Sequence, residues 1–223
     1  MAIFKKYSID NIRIVLPRDE LIRRSRILVV DDERPDIIDD LKKSAFSVDH
    51  LTDINTDNLY YIENRIYDLI LLDFANVGRS LGSDEGLSLL KHIKRVSPST
   101  IVIAYTSKAL TSKQADFYRL ADGVLSKDAG VSQSLEKIEE GLQRAHSIKN
   151  IWSSLISIVG FKEGSKEDKE WQNLFVQSLN SGRKRKQLKL KLEALLTSDA
   201  SKKIGLGLLE KAIELGVRAV LGV

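Results

Sequence analysis

The central part of the sequence alternates short apolar runs with amphipathic segments, and this alternation allows few folds. Between the runs, apolar residues such as Ile37, Ile38 and Leu41 recur at helical spacing. Strands that alternate with helices predict a parallel sheet covered by helices on both faces. The predicted strands are 26–30 (RILVV), 47–52 (SVDHLT), 68–72 (DLILL), 100–105 (TIVIAY) and 122–126 (DGVLS).

The first predicted strand ends on two adjacent carboxylates, Asp31 and Asp32. Two like charges about 4 Å apart repel by roughly 4 kcal/mol at an effective dielectric constant near 20. A bound cation would relieve that repulsion. A solvated loop that caps the following helix is the alternative, and the pair alone does not decide between the two.

Three further strands also end on polar residues. Asp73 follows the third strand, Thr106 and Ser107 follow the fourth, and Lys127 follows the fifth. In open parallel sheets the ligand site lies at the carboxyl ends of the strands, so we expect these side chains to converge. Three carboxylates suit a hard cation such as Mg²⁺, and a hydroxyl and an ammonium can hold phosphoryl oxygens. The set therefore indicates phosphoryl transfer.

The four short motifs DD at 31–32, LLD at 71–73, YTS at 105–107 and SKDA at 126–129 occur in one chain order. By these motifs residues 26–148 resemble the receiver domain of two-component response regulators. The resemblance implies a flavodoxin-like, doubly wound α/β fold with five parallel strands in the order 2-1-3-4-5. It also implies that the protein works in a phosphorelay.

The resemblance implies a role for each acid of the set. Asp73 would be the phosphoacceptor. Asp32 and Asp73, together with the backbone carbonyl of Ala75, would ligate Mg²⁺, and Asp31 would assist through water.

The polar residues of the last two strands would hold the phosphoryl group. Thr106 would bind it and Lys127 would pair with it, while Ser107 and Lys108 occupy positions that tune its lifetime. The implied phosphodonor is a histidine kinase or a phosphotransfer protein. Catalysis by this chain would be limited to self-phosphorylation from a phosphodonor and slow hydrolysis of the aspartyl phosphate.

The sequence departs from the family pattern in several places, including the absence of Met-Pro after Asp73 and Asp128 in place of the common proline after Lys127. Two departures concern the site most directly. The glycine expected eight residues after the phosphoacceptor falls at Gly86, thirteen residues after Asp73, so the 74–86 loop is about five residues longer. We predict that this loop forms a flexible flap over the site. The second departure is Val124, which replaces the aromatic switch residue of many receivers.

Charge divides the chain into three parts: an N-terminal extension at 1–25 with net charge +3, residues 26–148 with −5, and residues 149–223 with +6. This asymmetry predicts separate modules. The absence of cysteine, of a signal peptide and of a long apolar span predicts a cytoplasmic protein without a transmembrane segment.

The helical spacing of apolar residues in 149–223 predicts an all-helical output or oligomerisation module. An apolar stripe formed by Leu135, Ile138, Leu142, Trp152, Ile156 and Val159 predicts one continuous helix that leaves the receiver. Such a stripe suits pairing with a second chain, with Trp152 as an interface anchor. The alternative is that Trp152 packs inside its own C-terminal module. Ser165 and Asp168 predict the start of a second helix.

Three hypotheses about how the protein acts remain open. The module lacks the signatures of common DNA-binding outputs, which favours a homodimer or a protein partner bound through the C-terminal helices. The basic 183–191 region could instead contact DNA in a transcriptional regulator. A third alternative is a pseudo-receiver that works without phosphorylation.

Overall fold

The structure, a computed structural model, describes residues 9–64, 67–107 and 114–221. These residues fall into two compact units, an α/β unit formed by residues 16–145 and a helical unit formed by residues 9–15 and 146–221. Five strands occur in the α/β unit: β1 (Arg26–Val30), β2 (Ser47–Leu51), β3 (Leu69–Leu72), β4 (Ile101–Thr106) and β5 (Gly123–Ser126). Its helices are α1 (Arg18–Arg24), α2 (Ile37–Lys43), α3 (Tyr60–Asn64), α4 (Gly86–Val96), α5 (Ala115–Leu120) and α6 (Val131–Ala145).

The five strands form one parallel sheet in the order β2-β1-β3-β4-β5. The predicted fold class and strand order are therefore confirmed. Every residue of β3 and β4 is buried, as expected of central strands covered on both faces. The predicted strands differ from the observed ones by one residue at most at each end.

Alternation along the central strands divides the core between the two faces of the sheet. One face packs Ile70, Leu72 and Val102 with Leu90 of α4 and Phe117 of α5. On the other face α6 approaches so closely that a Cβ atom on Gly141 would lie 2.7 Å from Leu69 Cδ1. This packing fixes the strand ends, and with them the site.

Part of the N-terminal extension belongs to the α/β unit. The Leu16 amide donates to Gln143 Oε1 at 3.1 Å, and Gln143 Nε2 donates back to the Leu16 carbonyl at 2.7 Å. Arg18 Nε also lies 2.9 Å from Glu139 Oε1. These bonds hold the start of α1 against α6.

Within the described residues, the helical unit contains a short 3-10 helix (Ile9–Asn11) and four α-helices: α7 (Ile148–Val159), α8 (Lys166–Leu179), α9 (Gly182–Leu195) and α10 (Asp199–Leu221). Helix α7 packs on α10, and α8 packs on α9. Ser165 caps α8 as predicted, because its hydroxyl accepts the Asp168 amide at 3.2 Å. In α10 a Cβ atom on Gly216 would lie 2.6 Å from Leu179 Cδ2, so this glycine permits close packing against α8.

The predicted continuous helix across residue 146 is wrong. Helix α6 ends at Ala145, and α7 begins at Ile148 after Ser147 in an extended conformation. The Ser147 hydroxyl accepts the Asn150 amide at 3.2 Å, which makes Ser147 an N-cap. The apolar period runs through the break, because each of the two helices buries its own stripe.

Trp152 is an internal residue of the helical unit, so its predicted role as an interface anchor is also wrong. Its side chain is only 3% exposed. The indole Nε1 donates to Asp168 Oδ1 at 2.9 Å, and the ring centroid lies 5.1 Å from that of Phe175. The indole ring therefore packs against α8 of its own chain.

Among the described residues, no helix is both long enough and apolar enough to cross a membrane.

Candidate functional site

The three carboxylates predicted to form a site come together at the carboxyl edge of the sheet. Asp31 follows β1 and Asp73 follows β3, and these two strands are neighbours in the sheet. One carboxylate oxygen from each of Asp31, Asp32 and Asp73 lies within 4.8 Å of the others. Asp31 is fully buried and Asp73 is 9% exposed, whereas Asp32 is exposed.

Lys127 connects two of these acids. Its Nζ lies 2.7 Å from Asp31 Oδ2 and 3.0 Å from Asp73 Oδ2. The backbone holds the lysine in place, because the Lys127 amide donates to the Thr106 carbonyl at 2.8 Å and so joins the ends of β4 and β5. One ammonium thus contacts two of the three carboxylates, and with all three acids ionised the cluster would carry a net negative charge.

For both Asp31 and Lys127, burial and the ion pair between them act on the pKa in opposite directions. Burial raises the pKa of Asp31 above 3.8, and the charge of Asp73 raises it further, although the ion pair with Lys127 opposes the change. Burial alone would lower the pKa of Lys127. Its bonds to Asp31 and Asp73 outweigh that effect, so the pKa of Lys127 is raised and the side chain stays charged.

Tyr105, the residue before Thr106, was not predicted as a site residue. The Lys127 Nζ lies 5.6 Å from the centroid of its ring. Burial raises the pKa of Tyr105 to about 12 despite the nearby lysine, so its hydroxyl stays protonated. Together with Asp31 and Lys127 it lines a cavity of about 420 Å³ that continues to α2 and α6.

Thr106 ends β4 beside the cluster and is 8% exposed. The hydroxyl of Tyr118, in α5, lies 3.3 Å from Thr106 Oγ1. An aromatic hydroxyl therefore reaches Thr106 from a helix, while Val124 of β5, at the position of the usual switch residue, is 42% exposed. The sequence around β5 does not indicate the contact between Tyr118 and Thr106.

The remaining predicted site residues lie at the margin. Ser107 is exposed directly after β4, and Ala75 lies in the turn that follows Phe74. The backbone amide of Phe74 donates to Asp73 Oδ1 at 2.7 Å. This bond from the next residue orients the Asp73 carboxylate. Lys108 lies outside the described residues.

Gly86, at the start of α4, touches the backbone of the Asp73 turn. Its amide donates to the Phe74 carbonyl at 3.1 Å, and a Cβ atom would lie 2.6 Å from the Asp73 carbonyl oxygen. Real Cβ atoms do not approach so closely, so glycine is required here. This contact gives a physical reason for the glycine that the resemblance led us to expect at this position.

The long 74–86 loop is anchored, which argues against the predicted free flap. Val77, near the start of the loop, is fully buried in the core, and the Gly78 amide donates to Asp53 Oδ1 at 2.5 Å. Asn76 Nδ2 donates to Asp32 Oδ2 at 2.7 Å. Asn76 was not predicted as a site residue, and the unusual length of its loop was the only signal in the sequence.

The donor set fits a hard divalent cation. Carboxylate oxygens are the ligands that Mg²⁺ prefers, and one or two carboxylates with water complete many Mg²⁺ sites. Asp31 Oδ2 is buried and, within the described residues, meets the Lys127 ammonium without a hydrogen bond of regular geometry. A cation beside these oxygens would offset their mutual repulsion.

Solved structures similar to this chain are response-regulator receiver domains. One is a CheY-like receiver domain protein from Methanospirillum hungatei, with 26% identity, 54% of this chain and 95% of that chain covered, and a TM-score of 0.44. A two-component response regulator from Clostridium difficile has 21% identity, 54% and 98% coverage, and a TM-score of 0.45. The receiver domain of an HD domain-containing protein from Pseudomonas fluorescens has 24% identity, 57% and 93% coverage, and a TM-score of 0.48.

The similarity to these receiver domains covers about half of this chain, and the remainder is helical. No family model and no curated protein matches the sequence.

Proposed function

We propose that the α/β unit is the receiver of a two-component response regulator and accepts a phosphoryl group on Asp73. The observation that carries this proposal is the position of Lys127, whose ammonium lies within 3.0 Å of both Asp31 and Asp73. A purely structural ion pair would need only one acid. Three carboxylates beside a single lysine leave negative charge that a divalent cation could offset.

The reaction forms one bond and breaks one bond. An Asp73 carboxylate oxygen attacks the phosphorus of a phosphohistidine in a histidine kinase or phosphotransfer protein. The P–N bond breaks, its electron pair stays on the histidine nitrogen, and that nitrogen takes a proton. Lys127 neutralises the charge of the phosphoryl oxygens, and the Thr106 hydroxyl, at the end of the next strand, donates to one of them.

Asp31, Asp32 and Asp73, with the Ala75 carbonyl, would hold a divalent cation, which would supply positive charge to offset the carboxylates and the phosphoryl oxygens. The residues of this chain perform the positioning. Phe74 fixes Asp73 through its backbone amide, and the β4–β5 connection fixes Lys127.

Incubation with acetyl phosphate and Mg²⁺ tests the proposal. Intact-mass spectrometry should find one added phosphoryl group on the wild-type chain and none on Asp73→Asn. The matched control is Asp116→Asn, an acid in α5 that is 68% exposed and pairs with Arg119. An unmodified wild-type chain, with both acetyl phosphate and a phosphohistidine donor, would favour the pseudo-receiver instead.

For the output we propose binding of a protein partner by the helical unit. Within the described residues its exposed apolar side chains include Leu190, Leu195 and Leu221, which are 56%, 44% and 67% exposed. The surface that contacts a partner, or a second copy of the chain, should include these positions rather than Trp152. Leu190→Asp should weaken self-association in light scattering if a second copy is the partner.

Nucleic-acid binding by α9 is the second candidate. Arg183, Lys186 and Lys191 line one exposed face of this helix together with Leu190. Two other basic residues are engaged, since Arg185 bonds the carbonyls at the end of α8 and Lys189 lies 2.6 Å from Glu210. Fewer basic side chains of α9 are therefore free to contact phosphates than the count of basic residues in 183–191 suggests.

The salt dependence of DNA binding distinguishes this candidate. Three phosphate contacts give a log–log slope of about −2.7, at about 0.9 for each contact. The triple variant Arg183→Gln, Lys186→Gln, Lys191→Gln should remove that slope. Salt-independent binding, or equal binding by the variant, would exclude α9 as the DNA contact.

A further inference from the structure

Asn76 contacts a proposed metal ligand from the long 74–86 loop. Its side-chain amide Nδ2 donates to Asp32 Oδ2 at 2.7 Å. Asp32 is the exposed member of the three-carboxylate cluster, and it lies within 4.8 Å of two other negative groups. Without a partner, repulsion from Asp31 and Asp73 would favour rotamers that turn the Asp32 carboxylate towards water.

The orientation of the Asn76 amide is set by its neighbours. The Arg79 guanidinium donates to Asn76 Oδ1, and the carboxylate of Asp32 can only accept. One orientation of the amide satisfies both partners, with the oxygen towards Arg79 and the nitrogen towards Asp32.

Glu85 closes this network. The Asn76 backbone amide donates to Glu85 Oε2 at 3.0 Å, and Arg79 Nε lies 3.5 Å from Glu85 Oε1. Glu85 directly precedes α4, so the network is joined to a regular element of the fold.

The backbone beside Asn76 is anchored as well. Val77 is fully buried among core residues that include Leu89 and Leu90 of α4. The next residue, Gly78, donates its amide to Asp53 Oδ1 at 2.5 Å. The amide of Asn76 is therefore presented to Asp32 from a fixed point of the loop.

We propose that Asn76 is a positioning residue for the divalent cation: it holds the Asp32 carboxylate in the ligating orientation, and Arg79 holds Asn76. Hydrogen-bond partners of metal ligands typically change metal affinity 10- to 100-fold when they are removed. This inference rests on the metal part of the proposed function. It assigns a role to the inserted loop, which the motif residues alone do not explain.

Isothermal titration of Mg²⁺ into the full-length protein tests the inference. Asn76→Gly is the informative variant, because Asn76 has φ of 61° and glycine tolerates this left-handed conformation without strain. We expect its Mg²⁺ affinity to fall about tenfold. Ser80→Ala, a change at an exposed residue of the same loop, is the control and should bind Mg²⁺ as the wild type does.

A kinetic measurement separates positioning from structural damage. In phosphorylation by acetyl phosphate, Asn76→Gly should need about tenfold more Mg²⁺ for half-maximal rate and should reach the wild-type rate at saturation. A misfolded site would lower the plateau instead. If Asn76→Gly does not fold, Arg79→Met replaces it, since Arg79 is 61% exposed; its Mg²⁺ affinity should fall in the same direction.

The outcomes are distinguishable from those of the proposed function. Wild-type Mg²⁺ affinity in both Asn76→Gly and Arg79→Met would overturn the role of Asn76 and leave phosphorylation of Asp73 untouched. A lowered plateau at saturating Mg²⁺ would overturn it in favour of a structural role. A wild-type protein that binds no Mg²⁺ would overturn this inference together with the metal part of the proposed function.

Discussion

The ammonium of Lys127 lies 2.7 Å from Asp31 Oδ2, although two strands, β3 and β4, lie between the strands that carry these residues. The contact exists because the loops after β1 and β5 both turn over the same carboxyl edge of the sheet. Asp73, at the end of the intervening β3, lies 3.0 Å from the same ammonium. Three separate strand ends therefore share one charged cluster.

Stability should depend on pH through Asp31. Its pKa is raised above 3.8 by burial, so the folded state binds the Asp31 proton more tightly than the unfolded chain does. The stability associated with that proton is present below pH 3.8 and is lost as the pH rises through the raised pKa. Asp31→Asn should therefore have a higher free energy of unfolding than the metal-free wild type at pH 7.

Urea unfolding of both proteins at pH 4 and pH 7 measures this difference, which should shrink at the lower pH. Asp116→Asn, at an exposed acid that pairs with Arg119, should show no such dependence. A wild type that is more stable than Asp31→Asn at pH 7 would contradict the prediction and indicate that the pair with Lys127 outweighs burial.

Magnesium should stabilise the protein through Asp32. A ligand present at a hundredfold excess over its Kd adds about 2.7 kcal/mol to the free energy of unfolding. Asp32→Asn should lose this gain, because it removes one of the three carboxylates, and it should melt at a higher temperature than the wild type in the absence of metal. Differential scanning calorimetry with and without Mg²⁺ measures both effects; an unchanged Mg²⁺ response would remove Asp32 from the metal ligands.

Gly86→Ala should disrupt the phosphoacceptor turn. The new methyl group would overlap the Asp73 carbonyl, and overpacking of this kind costs about 1–3 kcal/mol. Phosphorylation by acetyl phosphate should fall with it, since the Asp73 backbone must move. Gly130→Ala is the matched control, because a Cβ atom there meets nothing within 4 Å. Equal phosphorylation of the two variants would show that the turn tolerates the methyl group.

Trp152→Ala should destabilise the helical unit by about 3–5 kcal/mol, because it empties a buried aromatic site and leaves Asp168 without its indole donor. Near-UV circular dichroism and limited proteolysis would detect the loss. Phosphorylation of Asp73 should persist. Leu190→Ala, at an exposed position of the same unit, should be almost neutral. Unchanged protease resistance of Trp152→Ala would contradict this internal role.

The sequence by itself determined the strands, their parallel arrangement and the acids and lysine of the site. Buried parallel strands are continuous apolar runs, so a polar residue that ends such a run marks the carboxyl edge of the sheet. Asp31, Asp73, Thr106 and Lys127 were predictable for this reason. The local hydroxyl cap at Ser165 was predictable as well, because its partner is only three residues away.

Only the tertiary structure decided the contacts whose partners are distant in the chain or whose residue types have many uses. The bond between Asn76 and Asp32 spans 44 residues, and nothing in the identity of an exposed asparagine indicates its acceptor. The same holds for Trp152, because an apolar stripe has the same period whether it packs against its own chain or against another. The break at Ser147 was hidden for a related reason: helical periodicity continues across a short interruption, and the choice between one helix and two depends on what each apolar face packs against.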